Sequence, residues 1–257
     1  MQTRKEEDMM EPHKIVSEAE WMTAREALLA EERAFTHARD ALVAKRMALP
    51  WVKVEKRYTF ETPQGERTLA QLFGPRSQLL TYHFMLGPDW EEGCPGCSFI
   101  SDHIDGMLVH LEHHDVTYVA VSRAPLAKIE AFKKRMGWHF PWVSSFGSDF
   151  NFDYRVSFSE ADKARGKAVY NYVEQEYMSD ELPGISAFYR DENGNVYHTY
   201  SAYARGVEMA LGTYAMLEFT PKGRNEKQNM GEWMRHHDRY EDAPQQHACC
   251  SHEQKPS

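Results

Sequence analysis

Two cysteines, Cys94 and Cys97, stand between stretches of opposite periodicity, and this junction restricts the fold of the 257-residue chain more than any other feature. Before them, residues 78–86 are dense in aromatic and aliphatic side chains and stop at Gly87-Pro88, the profile of a buried strand closed by a turn. After them, Ile100, Ile104, Met107, Leu108 and Leu111 recur at threes and fours, which predicts one helix with Cys97 in its first turn. Residues 116–121 then form a continuous apolar run, and Pro125 opens a helix with Leu126, Ile129, Phe132 and Met136 on one face. Strand, Cys-x-x-Cys, helix, strand, helix is the order of an α/β layer whose parallel strands are joined by right-handed crossovers.

The rest of the chain adds to this layer. Ser17 with Glu20 reads as a capping box, and Trp21, Leu28, Phe35 and Leu42 repeat at helical spacing until Pro50, so residues 17–50 are assigned an N-terminal helix. Val52, Val54, Tyr58 and Phe60 lead through Thr62-Pro63-Gln64-Gly65 to Leu69, Leu72 and Phe73, which predicts a strand, a turn and a short helix. An aromatic-rich insertion follows residue 137, with Trp138, Trp142, Phe146, Phe150, Phe152 and Tyr154, and a helix is predicted over 159–177. Core packing is the commoner use of such a stretch, and a substrate or partner cleft the rarer. A hairpin over 185–200, turning at Asp191-Glu192-Asn193-Gly194, and a helix over 207–217 close the domain, which spans 51–240. Residues 1–16 and 241–257 are expected to be disordered; the latter contain Cys249 and Cys250.

Charge and composition narrow the partners. Asp and Glu number 39 against 30 Lys and Arg, a net charge of -9, the wrong sign for neutralising phosphates, so nucleic acid is not an expected partner. The polar first dozen residues lack the apolar stretch of a secretory signal, and no window offers the roughly 18 apolar residues of a membrane span. The expected location is cytoplasmic. Four cysteines are too few for a disulfide scaffold, and a reducing compartment would hold structural bridges open.

Two thiols at this spacing can close a small disulfide and reopen it without moving the scaffold. Cys94, ahead of the helix, faces unpaired N–H groups that favour thiolate and is the expected nucleophile, while Cys97, one turn in, is the expected resolving thiol. Pro95 suits the first helical position, and Gly96 leaves room for a partner backbone. Asp89, Glu91 and Glu92 oppose a further negative charge, so a modestly lowered pKa is expected. The same spacing also serves zinc half-sites. On a continuous helix, however, His110 would lie about 20 Å beyond Cys97, out of reach of a shared ion. No cofactor is expected.

Several further stretches carry a family resemblance. They are Gly87-Pro88-Asp89-Trp90 with Cys94-Pro95-Gly96-Cys97-Ser98-Phe99, Val121-Ser122-Arg123-Ala124-Pro125, Arg135-Met136-Gly137-Trp138, Leu182-Pro183-Gly184 and Tyr203-Ala204-Arg205-Gly206. Through them the chain, from Ser17 to Tyr240, resembles the thioredoxin-like family known as domain of unknown function 899, whose members are described as predicted dithiol-disulfide oxidoreductases. The resemblance implies a thioredoxin-like α/β fold, a central mixed sheet flanked by helices, with the N-terminal helix and aromatic-rich insertion as additions. It also implies that Pro183 is a cis proline facing the dithiol, and that Trp90 and Arg123 are neighbours of the site. The implied partners are a protein or small-molecule disulfide and a thiol electron donor. The oligomeric state is left open, a homodimer being among the options.

Two other readings compete. The strand ending in Val119-Ala120-Val121-Ser122, with Arg123 placed to support a thiolate, also resembles peroxiredoxins, which implies a thiol peroxidase. A non-catalytic binding protein on the thioredoxin fold is the third, with the aromatic stretch as its cleft. Tyr82, His83, Ser122 and Arg123 are candidates for supporting the cysteines, and His236-His237-Asp238 is read as a solvated or capping segment.

Overall fold

A computed structural model describes residues 13–227 and 229–240. The chain begins with helix α1 (Glu18–Met47), started by the capping box of Ser17 and Glu20. It continues through strands β1 (Val52–Lys53), β2 (Thr59–Thr62) and β3 (Gly65–Thr68), short helix α2 (Leu69–Leu72) and strand β4 (Gln78–His83). After the cysteines come α3 (Pro95–Ser101), α4 (Leu108–His113), β5 (Val116–Ser122), α5 (Leu126–Met136) and β6 (Trp142–Ser144). Helices α6 (Phe150–Asp153) and α7 (Glu160–Arg165) precede β7 (Lys167–Tyr170), β8 (Val173–Glu176), β9 (Gly184–Arg190), β10 (Val196–Tyr203) and α8 (Gly212–Leu217).

Strand β4 is the axis of an eight-stranded sheet ordered β1-β10-β9-β4-β5-β6-β2-β3. Its parallel neighbour β5 is reached through the cysteine helix, and its antiparallel neighbour β9 belongs to the β9–β10 hairpin. Strand order β5-β4-β9-β10, with a helix after the first strand and another after the hairpin, is the thioredoxin-like arrangement. Successive β4 side chains alternate between two cores, as a central strand requires. Leu79 packs with Phe60, Phe73, Val121 and Phe150 on one face, whereas Tyr82 packs with Cys97, Phe99, Ile129, Phe132 and Trp142 on the other. The apolar face of α5, Ile129, Phe132 and Met136, seals this second core, each side chain contributing about 1.5–3 kcal/mol by burial. Gly137, at φ 67°, ends α5 in the left-handed conformation that glycine tolerates best.

Three expectations require correction. The helix after the cysteines is not continuous: α3 stops at Ser101, and a 3-10 turn (Asp105–Met107) intervenes before α4. Two carboxylates at the break serve the loop after α5, Asp102 accepting from Trp138 Nε1 at 2.9 Å and Asp105 from the Phe140 and His139 amides at 2.7 and 2.8 Å. The helix predicted over 159–177 ends at Gly166, φ 68°, and β7 and β8 form a separate hairpin in which Ala168 and Tyr170 alternate inward. The last helix is α8, preceded by a 3-10 segment (Ala204–Ala210). Trp138, Trp142, Phe150 and Tyr154 are buried in the cores, so the aromatic stretch is packing, with Phe146 left exposed. Among the described residues, no helix is long and apolar enough to cross a membrane.

Candidate active site

The loop between β4 and α3 is held from several directions. The chain leaves β4 still paired with β5, Phe84 N donating to Val121 O at 2.9 Å and Ala124 N to Leu86 O at 2.9 Å. Lys128 of α5 donates to the carbonyls of Pro88 and Trp90 at 2.7 and 2.8 Å. Cys94 N then donates back to Met85 O at 3.0 Å, folding the loop onto its own start. Gly93 is where this fold is tightest: a Cβ there would stand 2.6 Å from the Phe84 ring and 2.7 Å from the Phe132 ring. Its carbonyl lies 2.8 Å from Nε2 of His236, a ring only 1% exposed that packs edge-on against Phe132. Around it, Arg135 bridges Glu92 at 2.9 Å and Asp238 at 2.8 Å, and Arg239 reaches Glu92 at 2.6 Å.

Cys94 occupies the N-cap position of α3 and Pro95 its first turn; Ser98 N donates to the Cys94 carbonyl at 2.9 Å. Both cysteines are free thiols, about 4 Å apart. Cys94 is half-buried beside exposed Pro95, and Cys97 is buried. The Cys97 thiol and the N–H groups of Cys97 and Gly96 hold the Cys94 pKa down, to about 6, against the opposing effect of burial. Burial and the neighbouring Cys94 push the Cys97 thiol well up. The Met85 amide donates to Cys97 Sγ at 3.4 Å, and the Tyr82 hydroxyl faces that sulfur without meeting hydrogen-bond geometry or finding another partner. Of the upstream carboxylates expected to oppose a thiolate, Glu92 is neutralised by Arg135 and Arg239.

The expected neighbours are each held by contacts of their own. Trp90 packs over Gly87 in the loop. Arg123 lies over the Phe152 ring at 4.4 Å and 3.0 Å from buried Glu181, and this pairing occupies the guanidinium that was expected to support a thiolate. Burial raises the Glu181 pKa to about 7, although the Ser157 hydroxyl, 2.5 Å away, and Arg123 pull it down. Pro183 enters β9 through a trans bond, since the described residues contain no cis peptide; the cis expectation is corrected. The preceding residues already run extended, Leu182 N donating to Val156 O at 2.8 Å and Glu181 bridging to Ser157, so a trans link leads straight into β9. The Pro183 carbonyl accepts from Tyr170 at 2.7 Å. Ser122 supports the loop by donating to Phe84 O at 2.7 Å, whereas His83 faces the opposite core, beside Phe150 and 2.9 Å from Ser186 Oγ.

The sequence reading missed Gly93, Lys128, Glu181 and the buried role of His236. Only the last had a visible signal, the His236-His237-Asp238 triplet, read as solvated or capping; here His236 is buried against the loop while Asp238 stays exposed. Among the described residues no three His, Cys, Asp or Glu side chains converge as a metal cage. Cys249 and Cys250 lie outside the described residues.

Residues 10–240 match the family model described as "Bacterial protein of unknown function (DUF899)". The chain belongs to this family. No curated protein matches it. Among solved structures, the family member is similar to peroxiredoxin Q of Xanthomonas campestris at 15% identity and TM-score 0.41, covering 64% of this chain and 91% of that one. Peroxidoxin BcpB of Mycobacterium tuberculosis is similar at 15% identity and TM-score 0.38, with coverage of 63% and 94%. The mitochondrial 2-Cys peroxiredoxin of Plasmodium falciparum is similar at 15% identity and TM-score 0.38, with coverage of 69% and 96%.

Proposed function

We propose that the chain is a dithiol-disulfide oxidoreductase in which Cys94 is the nucleophile and Cys97 the resolving thiol. The asymmetry of the pair carries this reading: Cys94 is reachable and poised as thiolate near neutrality, while Cys97 is buried and kept protonated. The Cys94 thiolate attacks one sulfur of a substrate disulfide, breaking that bond and expelling the other sulfur as thiolate. A mixed disulfide remains. Cys97 then gives its proton to the departing thiolate and attacks Cys94 Sγ, releasing the second substrate sulfur; both substrate sulfurs leave reduced and Cys94–Cys97 is oxidised. A thiol donor reverses these steps to regenerate the dithiol. Exposed Pro95 and half-buried Gly96 form the rim through which a disulfide reaches Cys94. The test is insulin or glutathione disulfide turnover with each cysteine replaced separately, run beside peroxide consumption. Loss of exchange in Cys94→Ser, with a trapped mixed disulfide in Cys97→Ser, is the expected result. Peroxide consumption that needs Cys94 but survives in Cys97→Ser would replace this reading with a peroxidase.

A further inference from the structure

Helix α1 is about 45 Å long, yet none of its 30 residues is buried. It meets the sheet at its C-terminal end, where the Arg46 guanidinium lies 4.5 Å from the Tyr200 ring centroid. Along it, Trp21, Leu28, Phe35 and Leu42 stand 55%, 51%, 72% and 57% exposed. Their spacing is seven residues throughout, with alanines beside them at Ala27, Ala34 and Ala41. A seven-residue repeat is not what a lone helix on a globular surface needs; it keeps bulky side chains on a seam facing a second helix over several turns.

The charges choose the partner and its direction. The first half, residues 18–32, carries five glutamates against Arg25, a net -4, whereas residues 33–47 carry Arg33, Arg39, Lys45 and Arg46 against Asp40, a net +3. A parallel copy would set like charge beside like along the whole length. An antiparallel copy sets each acidic half against a basic half, and the small alanines let bulky side chains of the other helix fit beside them. We propose that α1 is a homodimerisation helix that pairs antiparallel with α1 of a second copy of this chain.

Sedimentation of the full chain tests this, together with zero-length carbodiimide cross-linking of an equal mixture of isotope-labelled and unlabelled protein. The expected result is a dimer that weakens with added salt and yields inter-copy links from Lys45, the lysine of α1, to Glu18 or Glu20. Phe35→Glu should weaken the dimer about 30-fold or more, the range of a central interface residue. Because α1 buries nothing, circular dichroism and Cys94 alkylation should stay unchanged in that variant. A monomer at all concentrations overturns the proposal, as does a dimer indifferent to Phe35→Glu. A dimer whose Lys45 links only within its own chain overturns the antiparallel arrangement.

Discussion

Replacing Cys97 separates the two influences that lower the Cys94 pKa. The Cys97 thiol contributes most, ahead of the N–H groups of Cys97 and Gly96, and burial works against all three. A hydrogen bond to a charged group contributes roughly 1.5–3 kcal/mol, and one pKa unit corresponds to about 1.36 kcal/mol, so losing the thiol donor raises the Cys94 pKa by about 1–2 units. Cys97→Ala is therefore expected to move the midpoint of Cys94 alkylation from about 6 to about 7–8. Cys97→Ser keeps a donor at the same position and should move it far less. The assay is the pH dependence of iodoacetamide modification, read at Cys94 by mass spectrometry in a chain whose Cys249 and Cys250 are serine. A Cys97→Ala midpoint that stays at the wild-type value would show that the helix start alone sets the thiolate, and the account of the pair would fail.

Three further outcomes follow from the surroundings. Glu181 has a folded pKa raised from 4.5 to about 7, so the native state holds a proton there that the unfolded chain releases, and stability falls as pH rises through this window. Glu181→Gln should flatten that slope, which amounts to about 3 kcal/mol between pH 4.5 and pH 8 in the wild type, measured by urea unfolding; an unchanged slope would refute it. Gly93→Ala forces a methyl against the Phe84 and Phe132 rings and should cost about 1–3 kcal/mol in the same measurement; a neutral result would show that the loop yields. His236→Ala leaves the Gly93 carbonyl without its partner and opens a space beside Phe132, with an expected loss of about 1–3 kcal/mol and faster proteolysis of the loop. Proteolysis at the wild-type rate would count against the clamp.

What could be read from sequence was what local physics decides. The capping box of Ser17 and Glu20, the change of period across Cys94 and Cys97 and the turn at Asp191–Gly194 each concern neighbours in the chain, and the structure forms all three. The break after α3 was hidden because Asp102 and Asp105 serve Trp138, His139 and Phe140, partners more than thirty residues away. β7 was hidden because four residues, Lys167–Tyr170, are too few for alternation to stand out from helical periodicity. At the site, the cysteines were legible by spacing. Lys128, Glu181 and His236 were not, because each meets its partner from a distant stretch of chain, Lys128 and His236 on the loop and Glu181 on Arg123.

His236 lies 143 positions beyond the glycine whose carbonyl it meets. During synthesis the two thiols emerge from the ribosome well before that ring exists to meet them. The surroundings of Cys94 are consequently completed by a stretch translated more than a hundred residues later, and a nascent polypeptide exposes these sulfurs to small oxidants and thiols without their finished collar.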